Sequence, residues 1–247
     1  MILNEIGKVI TDAEILHRGG ISRQGFIFTG ITYPANIYDA IVIKHPQNVR
    51  CFSPVIKESS HNLEEQIELI NREKIEKAMI IAENIDFITK CPTLRYLRII
   101  PAENAGDGFD YSPLYEMPEI KSLQCSTVYG AGERFFTELD CERITGLQDI
   151  HVTSRGYRNY KKISTLKSLE LSGSNELPDL SFLKTMKSLK TFVFNMNVKD
   201  GNLSLCTGLS YVYSERNRKH YNLKNTELPK GQYVRGNEDI EVWRRCE

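Results

Sequence analysis

The chain has 247 residues, of which 40% are hydrophobic and 26% are charged, a composition typical of a globular protein with one large domain or one domain and an appendage. Lys plus Arg and Asp plus Glu both total 32, so the zero net charge excludes a chain-wide basic field for nucleic acid or an anionic membrane. No apolar run approaches the roughly 20 residues of a membrane-spanning helix, and residues 1–20 lack a signal-peptide pattern. We therefore expect a cytoplasmic protein.

Residues 1–61 are predicted to form a small β-rich piece. The stretches GFIFTGITY and AIVIKHP are rich in β-branched and aromatic residues, which favours strands, and the turn-forming stretch PANIYD separates them. FSPVIKES is a candidate third strand.

A helix is predicted over about 63–72. Asn62 is a candidate N-cap, and Glu64 and Glu65 lie in the first turn, where acidic residues are favourable. We expect this helix to cover the open end of the repeats that follow, because an end repeat exposes both core and strand edge.

One apolar frame recurs from residue 69 to about residue 215. Its apolar positions are spaced by three, three, three and two residues, so the first part is typical of helical turns and the last of a strand. Stacked copies would bury a continuous core beneath a parallel sheet of about seven short strands. The third positions of the seven copies are Ile75, Leu94, Ile120, Leu147, Leu166, Leu189 and Leu209.

The segment LKSLELSGSNELPDLSFLKTM, from Leu166 to Met186, resembles the leucine-rich repeat pattern LxxLxLxxN and is closest to short, irregular internalin-like repeats of bacteria. The resemblance implies an α/β, right-handed solenoid, with a curved parallel sheet and short helices or irregular turns on the convex side. It also implies that the amides of Asn175 and Asn197 bond backbone groups in the turns. Most repeats lack this Asn, and two contain long inserts.

The predicted division of the chain is an N-terminal piece (1–61), repeats with a helical cap (62–215) and a C-terminal cap (216–247).

Four cysteines fall in apolar positions of the frame, and no pair has CxxC spacing. We expect them to be buried, reduced thiols rather than zinc ligands or disulfides. They are Cys91, Cys125, Cys141 and Cys206, whereas Cys51 and Cys246 lie outside the frame.

The frame also predicts which strand residues point away from the core, onto an exposed concave face. Tyr and Arg often anchor protein interfaces, so this face is the candidate binding surface. The inserts at about 101–115 and 127–139 are added to it, because they are rich in Gly, Tyr, Phe and charged residues and long loops often carry recognition. Its predicted partner-binding residues are Tyr96, Arg98, Gln124, Asp149, His151, Glu170, Tyr211 and Tyr213.

The sequence contains no GxSxG, HExxH, Walker-type or GxGxxG motif, so we predict no catalytic, cofactor-binding or metal-binding residues. His151 beside Glu170 could form an acid/base pair, but no nucleophile is evident near it, and a surface contact or solvated side chain is the preferred interpretation. The basic cluster at 216–220 is interpreted as a solvated loop rather than a phosphate or nucleic-acid contact, because acidic residues follow closely.

These observations predict a non-enzymatic, monomeric module that binds a partner protein, and no nucleic acid or membrane, through the concave sheet. One alternative is an enzyme or small-ligand domain in residues 1–61, with the repeats as a targeting arm. A narrower version of the binding hypothesis is a toxin antagonist or immunity-type protein. A structural, surface-displayed protein is a further possibility.

Overall fold

The computed structural model describes the backbone of residues 2–5, 8–10 and 40–45, and residues 63–72, 74, 76–101, 109–125, 138–153, 156–173, 176–214 and 216–231. One helix, α1, spans Leu63–Arg72, as the sequence predicts. The strands are β1 (Ile2–Glu5), β2 (Lys8–Ile10), β3 (Ala40–His45), β4 (Lys77–Ala82), β5 (Tyr96–Pro101), β6 (Ser122–Cys125), β7 (Leu139–Asp140), β8 (Asp149–Thr153), β9 (Tyr157–Arg158), β10 (Ser168–Ser172), β11 (Glu176–Leu177), β12 (Thr191–Phe194), β13 (Asn197–Val198) and β14 (Tyr211–Ser214).

Most of these strands form one α/β-type parallel sheet of short strands, an arrangement compatible with a solenoid. Its order is β14-β12-β10-β8-β6-β5-β4-β3-β1-β2, and every neighbouring pair is parallel except β1 and β2. Two small parallel pairs, β7 with β9 and β11 with β13, lie outside it. The predicted parallel sheet is therefore confirmed.

Strand β3 extends the same sheet beyond β4, along six paired residues from Ala40↔Lys77 to His45↔Ala82. The predicted covering helix α1 packs on the core through the buried Ile70. The backbone edge of β4 is paired by β3 rather than covered by this helix, because a strand supplies the N–H and C=O partners of an edge strand. The predicted strand at AIVIKHP corresponds to β3. The other two predicted strands of the N-terminal piece lie outside the described residues.

Short 3₁₀ helices separate the main strands and explain the spacing of three in the frame. A 3₁₀ turn has three residues, so positions three apart lie on the same side. In the first of these connections Cys91 N donates to Ile88 O at 2.9 Å, and Leu94 N donates to Cys91 O at 3.1 Å. The 3₁₀ helices are Asp86–Lys90, Ser112–Glu116, Cys141–Arg143, Tyr160–Lys162, Ser181–Lys184, Ser204–Gly208 and Asn225–Glu227.

The third positions of the frame form the centre of the core, with one difference. Five of the seven are buried: Leu94, Ile120, Leu147, Leu166 and Leu189. Leu209 is only half-buried, because it precedes the edge strand β14, which has a strand neighbour on one side only. Ile75 lies outside the described residues.

Asn197 does not follow the role that the resemblance implies. Asn197 Nδ2 donates to the Glu176 carboxylate at 2.6 Å rather than to a backbone carbonyl, and Asn175 lies outside the described residues. The backbone bond is instead made two residues earlier, where Asn195 Oδ1 accepts from Gly173 N at 2.8 Å. The amide therefore reaches the turn from the end of β12, and the neighbouring Asn197 is left to bond a side chain.

Candidate functional site

The sheet places the predicted site residues in the rows that the frame assigns. Gln124 pairs with His151, and His151 pairs with Glu170, across β6, β8 and β10. Asp149 lies between Ser122 and Ser168 in the adjacent row. Because neighbouring strands are about 4.8 Å apart, these side chains form one polar group, which we call the central polar row.

The predicted exposure of this row is wrong. The exposed fraction is 4% for Gln124, 1% for Asp149, 3% for His151 and 2% for Glu170. The frame alternates these residues with the leucines of the core along each strand. Exposure depends on what surrounds the side chain on adjacent strands, which the periodicity of one strand does not report.

Hydrogen bonds link the members of the row to serines of the same sheet. Ser122 Oγ donates to Asp149 Oδ2 at 2.5 Å. His151 Nε2 lies 2.7 Å from Ser172 Oγ and 3.5 Å from Glu170 Oε1. The polar side chains are thus held in one arrangement by their neighbours.

This geometry does not form a serine-histidine-acid relay. Such a relay needs the serine on one ring nitrogen and the acid on the other, whereas both Ser172 and Glu170 face the Nε2 atom of His151. The hydroxyl therefore competes with the carboxylate for one nitrogen. Within the described residues no group of three His, Cys, Asp or Glu side chains is placed to bind a metal ion.

Nε2 of Gln124 and Oγ of Ser168 are among the buried polar atoms of this face that have no hydrogen-bond partner among the described residues. A buried polar atom without a partner costs about 1–3 kcal/mol, so the row contributes polar character to the interior at an energetic cost.

The tyrosines at the two ends of the face remain partly accessible. Tyr96, Tyr211 and Tyr213 are half-buried, and desolvation, followed by the charge of Glu76, raises the pKa of Tyr96. At the other end Lys230 Nζ lies 5.7 Å from the ring centre of Tyr211 and 5.1 Å from that of Tyr213, within cation–π range. The backbone of the eighth predicted residue, Arg98, pairs with Gln124, and its side chain lies outside the description.

The predicted insert at 101–115 contributes to the core as well as to the surface. Phe109 and Tyr111 are buried, and their ring centres are 4.9 Å apart. The aromatic residues that suggested recognition therefore fill the interior, since large rings gain most by leaving water. Residues 102–108, and most of the second insert, lie outside the described residues.

Three buried or half-buried tyrosines have a structural role that the sequence pattern does not reveal. Tyr157 Oη accepts from Cys125 N at 3.0 Å and donates to the carbonyl of the same residue. Tyr221 Oη accepts from Val198 N at 3.1 Å, and Tyr115 Oη accepts from Asp140 N at 2.9 Å. Each hydroxyl satisfies backbone groups near a strand, and no periodicity distinguishes such a tyrosine from a phenylalanine.

The four cysteines of the frame are free and buried, as predicted. Burial raises the pKa of Cys91 to about 11 and that of Cys141 and Cys206 to about 12, and it also raises the pKa of Cys125. These thiols are therefore protonated at neutral pH and unsuited to nucleophilic attack.

The C-terminal basic cluster is largely exposed, in agreement with a solvated loop. His220 differs from the rest of the cluster because it makes two defined contacts. Its Nε2 lies 2.9 Å from Val198 O, and its ring packs edge-on against Tyr221. That histidine therefore connects the C-terminal segment to β13.

Comparison with known proteins gives no relative: no family model matches the chain, and no curated protein matches it significantly. In the described part of the chain, no helix combines the length and apolar character needed to cross a bilayer. The resemblance to leucine-rich repeats therefore rests on the residue pattern and on its agreement with the sheet register.

Proposed function

We propose that this chain is a right-handed leucine-rich repeat solenoid of the internalin-like kind that acts as a non-enzymatic protein-binding module. The parallel order and in-register pairing support this proposal, because strands and 3₁₀ connections alternate as in a stacked repeat. The backbone hydrogen bonds between successive strands also follow one pattern. Lys167 N and Ser168 N both donate to Gln148 O, and Lys190 N and Thr191 N both donate to Lys167 O.

The observation that most favours binding is the distribution of exposure along the sheet face. Its polar centre is buried, whereas Tyr96 at one end and Tyr211 and Tyr213 at the other are half-exposed on rigid strands. Tyrosines on a fixed scaffold supply contact area with little loss of side-chain entropy, which is typical of interface anchors. The partner would therefore contact the ends and margins of the sheet rather than its middle.

Affinity capture with matched baits tests this function. Immobilised wild-type protein, Tyr213→Ala and Lys184→Ala would be compared for the proteins that they retain from the source cell, with quantitative mass spectrometry as the readout. Lys184 is an exposed residue of a 3₁₀ helix, away from the tyrosines. We expect a partner that wild type and Lys184→Ala retain and Tyr213→Ala loses.

Thermal melting of the three baits controls for unfolding, because Tyr213 also contacts Lys230. Retention that is identical in wild type and Tyr213→Ala would contradict this binding surface. If no protein is enriched over an unrelated bait, the binding function itself fails.

A further inference from the structure

A row of lysines lies where the strands of the main sheet begin. Lys121, Lys167 and Lys190 each precede the first residue of a strand, namely β6, β10 and β12, and Gln148 has the same place before β8. The backbone connects them in order: Gln148 N donates to Lys121 O at 2.8 Å, Lys167 N to Gln148 O at 2.7 Å and Lys190 N to Lys167 O at 2.9 Å.

We call these three lysines, with Lys187 in the turn before Lys190, the lysine edge. The backbones of Lys167 and Lys190 are one strand apart, about 4.8 Å, and Lys121 is two strands from Lys167, about 9.6 Å. The cations therefore lie along one edge at intervals that the sheet fixes, within reach of a single extended segment.

The residues of the lysine edge lie at the surface. Lys187 and Lys190 are exposed, and Lys121 and Lys167 are half-exposed. Among the described residues no ion pair involves Lys121, Lys187 or Lys190. Glu119, the acidic residue nearest to Lys121 in the sequence, forms an ion pair with Arg95 at 2.5 Å.

The zero net charge of the chain conceals a separation of charge along it. Residues 63–119 contain 12 acidic and 6 basic residues, a net charge of −6. Residues 156–199 contain 8 basic and 3 acidic residues, a net charge of +5, and one of the three acids, Glu170, is buried. The lysine edge therefore lies largely in the basic part of the molecule.

We infer that the lysine edge binds an acidic segment of the partner protein, an inference that rests on the proposed protein-binding function. An extended peptide presents alternate side chains about 6.6–6.8 Å apart on one face, a spacing that flexible lysine side chains can match along this edge. Glutamates or aspartates at alternate positions would complement Lys121, Lys167 and Lys190, and the pairs would steer association and fix its register.

A protein segment fits this edge better than a nucleic acid does. A nucleic-acid site usually neutralises more phosphates than four lysines can, and single-strand sites add aromatic side chains for base stacking. None of the equivalent positions before the strands from β4 to β14 of the main sheet is aromatic; they are Glu76, Arg95, Lys121, Gln148, Lys167, Lys190 and Ser210. The net charge of −6 in residues 63–119 would also repel a long polyanion.

A fluorescein-labelled octaglutamate peptide is a direct probe. Its binding would be measured by fluorescence anisotropy at about 0.05 M and about 0.15 M ionic strength, because exposed ion pairs weaken as the screening length shortens. We expect Lys167→Glu/Lys190→Glu to weaken binding at least tenfold, or about 1.4 kcal/mol. The matched control, Lys184→Glu/Lys199→Glu, makes the same change in net charge at two exposed lysines off the edge, and we expect a change of less than about threefold, the range of a screened surface charge.

Three results would overturn the inference: no binding of octaglutamate at low salt, equal weakening by both double variants, or tighter binding of an eight-nucleotide single-stranded DNA than of the peptide. These outcomes are separate from the capture experiment. A partner that is lost with Tyr213→Ala but retained by Lys167→Glu/Lys190→Glu leaves the proposed function intact and removes the lysine edge from its interface. Octaglutamate binding at this edge without any captured protein would instead contradict the protein-binding function.

Discussion

Replacement of Leu166 by alanine should remove a large part of the stability of the sheet. The side chain is 0% exposed and lies at the third position of its copy of the apolar frame, in the turn before β10. The substitution deletes three buried carbon atoms, worth about 2.4 kcal/mol at about 0.8 kcal/mol each, and the residual cavity raises the loss to as much as about 5 kcal/mol. At roughly 2–4 °C per kcal/mol for a chain of this size, the melting temperature should fall by roughly 5–20 °C.

The equivalent substitution at the half-buried Leu209 is the matched control, because it changes the same atoms next to the edge strand. We expect a loss of about 1 kcal/mol, since less apolar area leaves water there. Urea unfolding followed by circular dichroism would give both free energies, with an unchanged slope against denaturant if only stability changes. A loss below about 1 kcal/mol for Leu166→Ala, or equal losses at the two sites, would refute the stacked core.

Gly201→Ala should destabilise the fold by more than about 1 kcal/mol, because φ is +67° and the new Cβ would clash with a neighbouring carbonyl oxygen. Gly208→Ala is the control: its new Cβ would meet no atom within 4 Å, so the free energy of unfolding should change by less than about 0.5 kcal/mol in the same assay. Tyr157→Phe should cost about 1–3 kcal/mol, since the Cys125 backbone loses its partner; an unchanged midpoint would contradict that role. The free energy of unfolding should fall as pH rises from 9 towards 12, because in this range the buried thiols ionise only in the unfolded chain. Cys206→Ala removes one of these thiols, so the fall with pH should be less steep in this variant. An unchanged slope would contradict this linkage.

The sheet register was predictable from the sequence because two periodicities agree in most copies of the apolar frame. Spacings of three and then two residues predict a helical or irregular turn followed by a strand, and a one-residue slip would move Leu169 and Leu171 to the wrong face. The frame therefore anticipates the pairing of Glu170 with His151, which the structure shows.

The exposure of the face was not predictable in the same way. Periodicity gives the direction of Asp149 or Glu170 but not the neighbours that surround it on other strands, and these residues are buried. The same limit applies to Phe109 and Tyr111, where aromatic composition suggested a recognition loop and the rings enter the core. The pattern also does not show that β3 continues the sheet, because strand order depends on contacts that are distant in the sequence.

The burial of the central polar row separates residues that act on stability from the residues proposed to bind a partner. Asp149 and His151 are held by hydrogen bonds inside the sheet, so a substitution there leaves a buried partner unsatisfied and acts first on stability. The half-exposed Tyr213 and the exposed Lys190 have fewer neighbours to disturb, so their replacement can act on binding with little effect on folding. Loss of binding in a central-row variant can therefore be interpreted only together with the melting temperature of that variant. Loss of binding in a fully folded variant of Tyr213 or Lys190 would instead identify the interface.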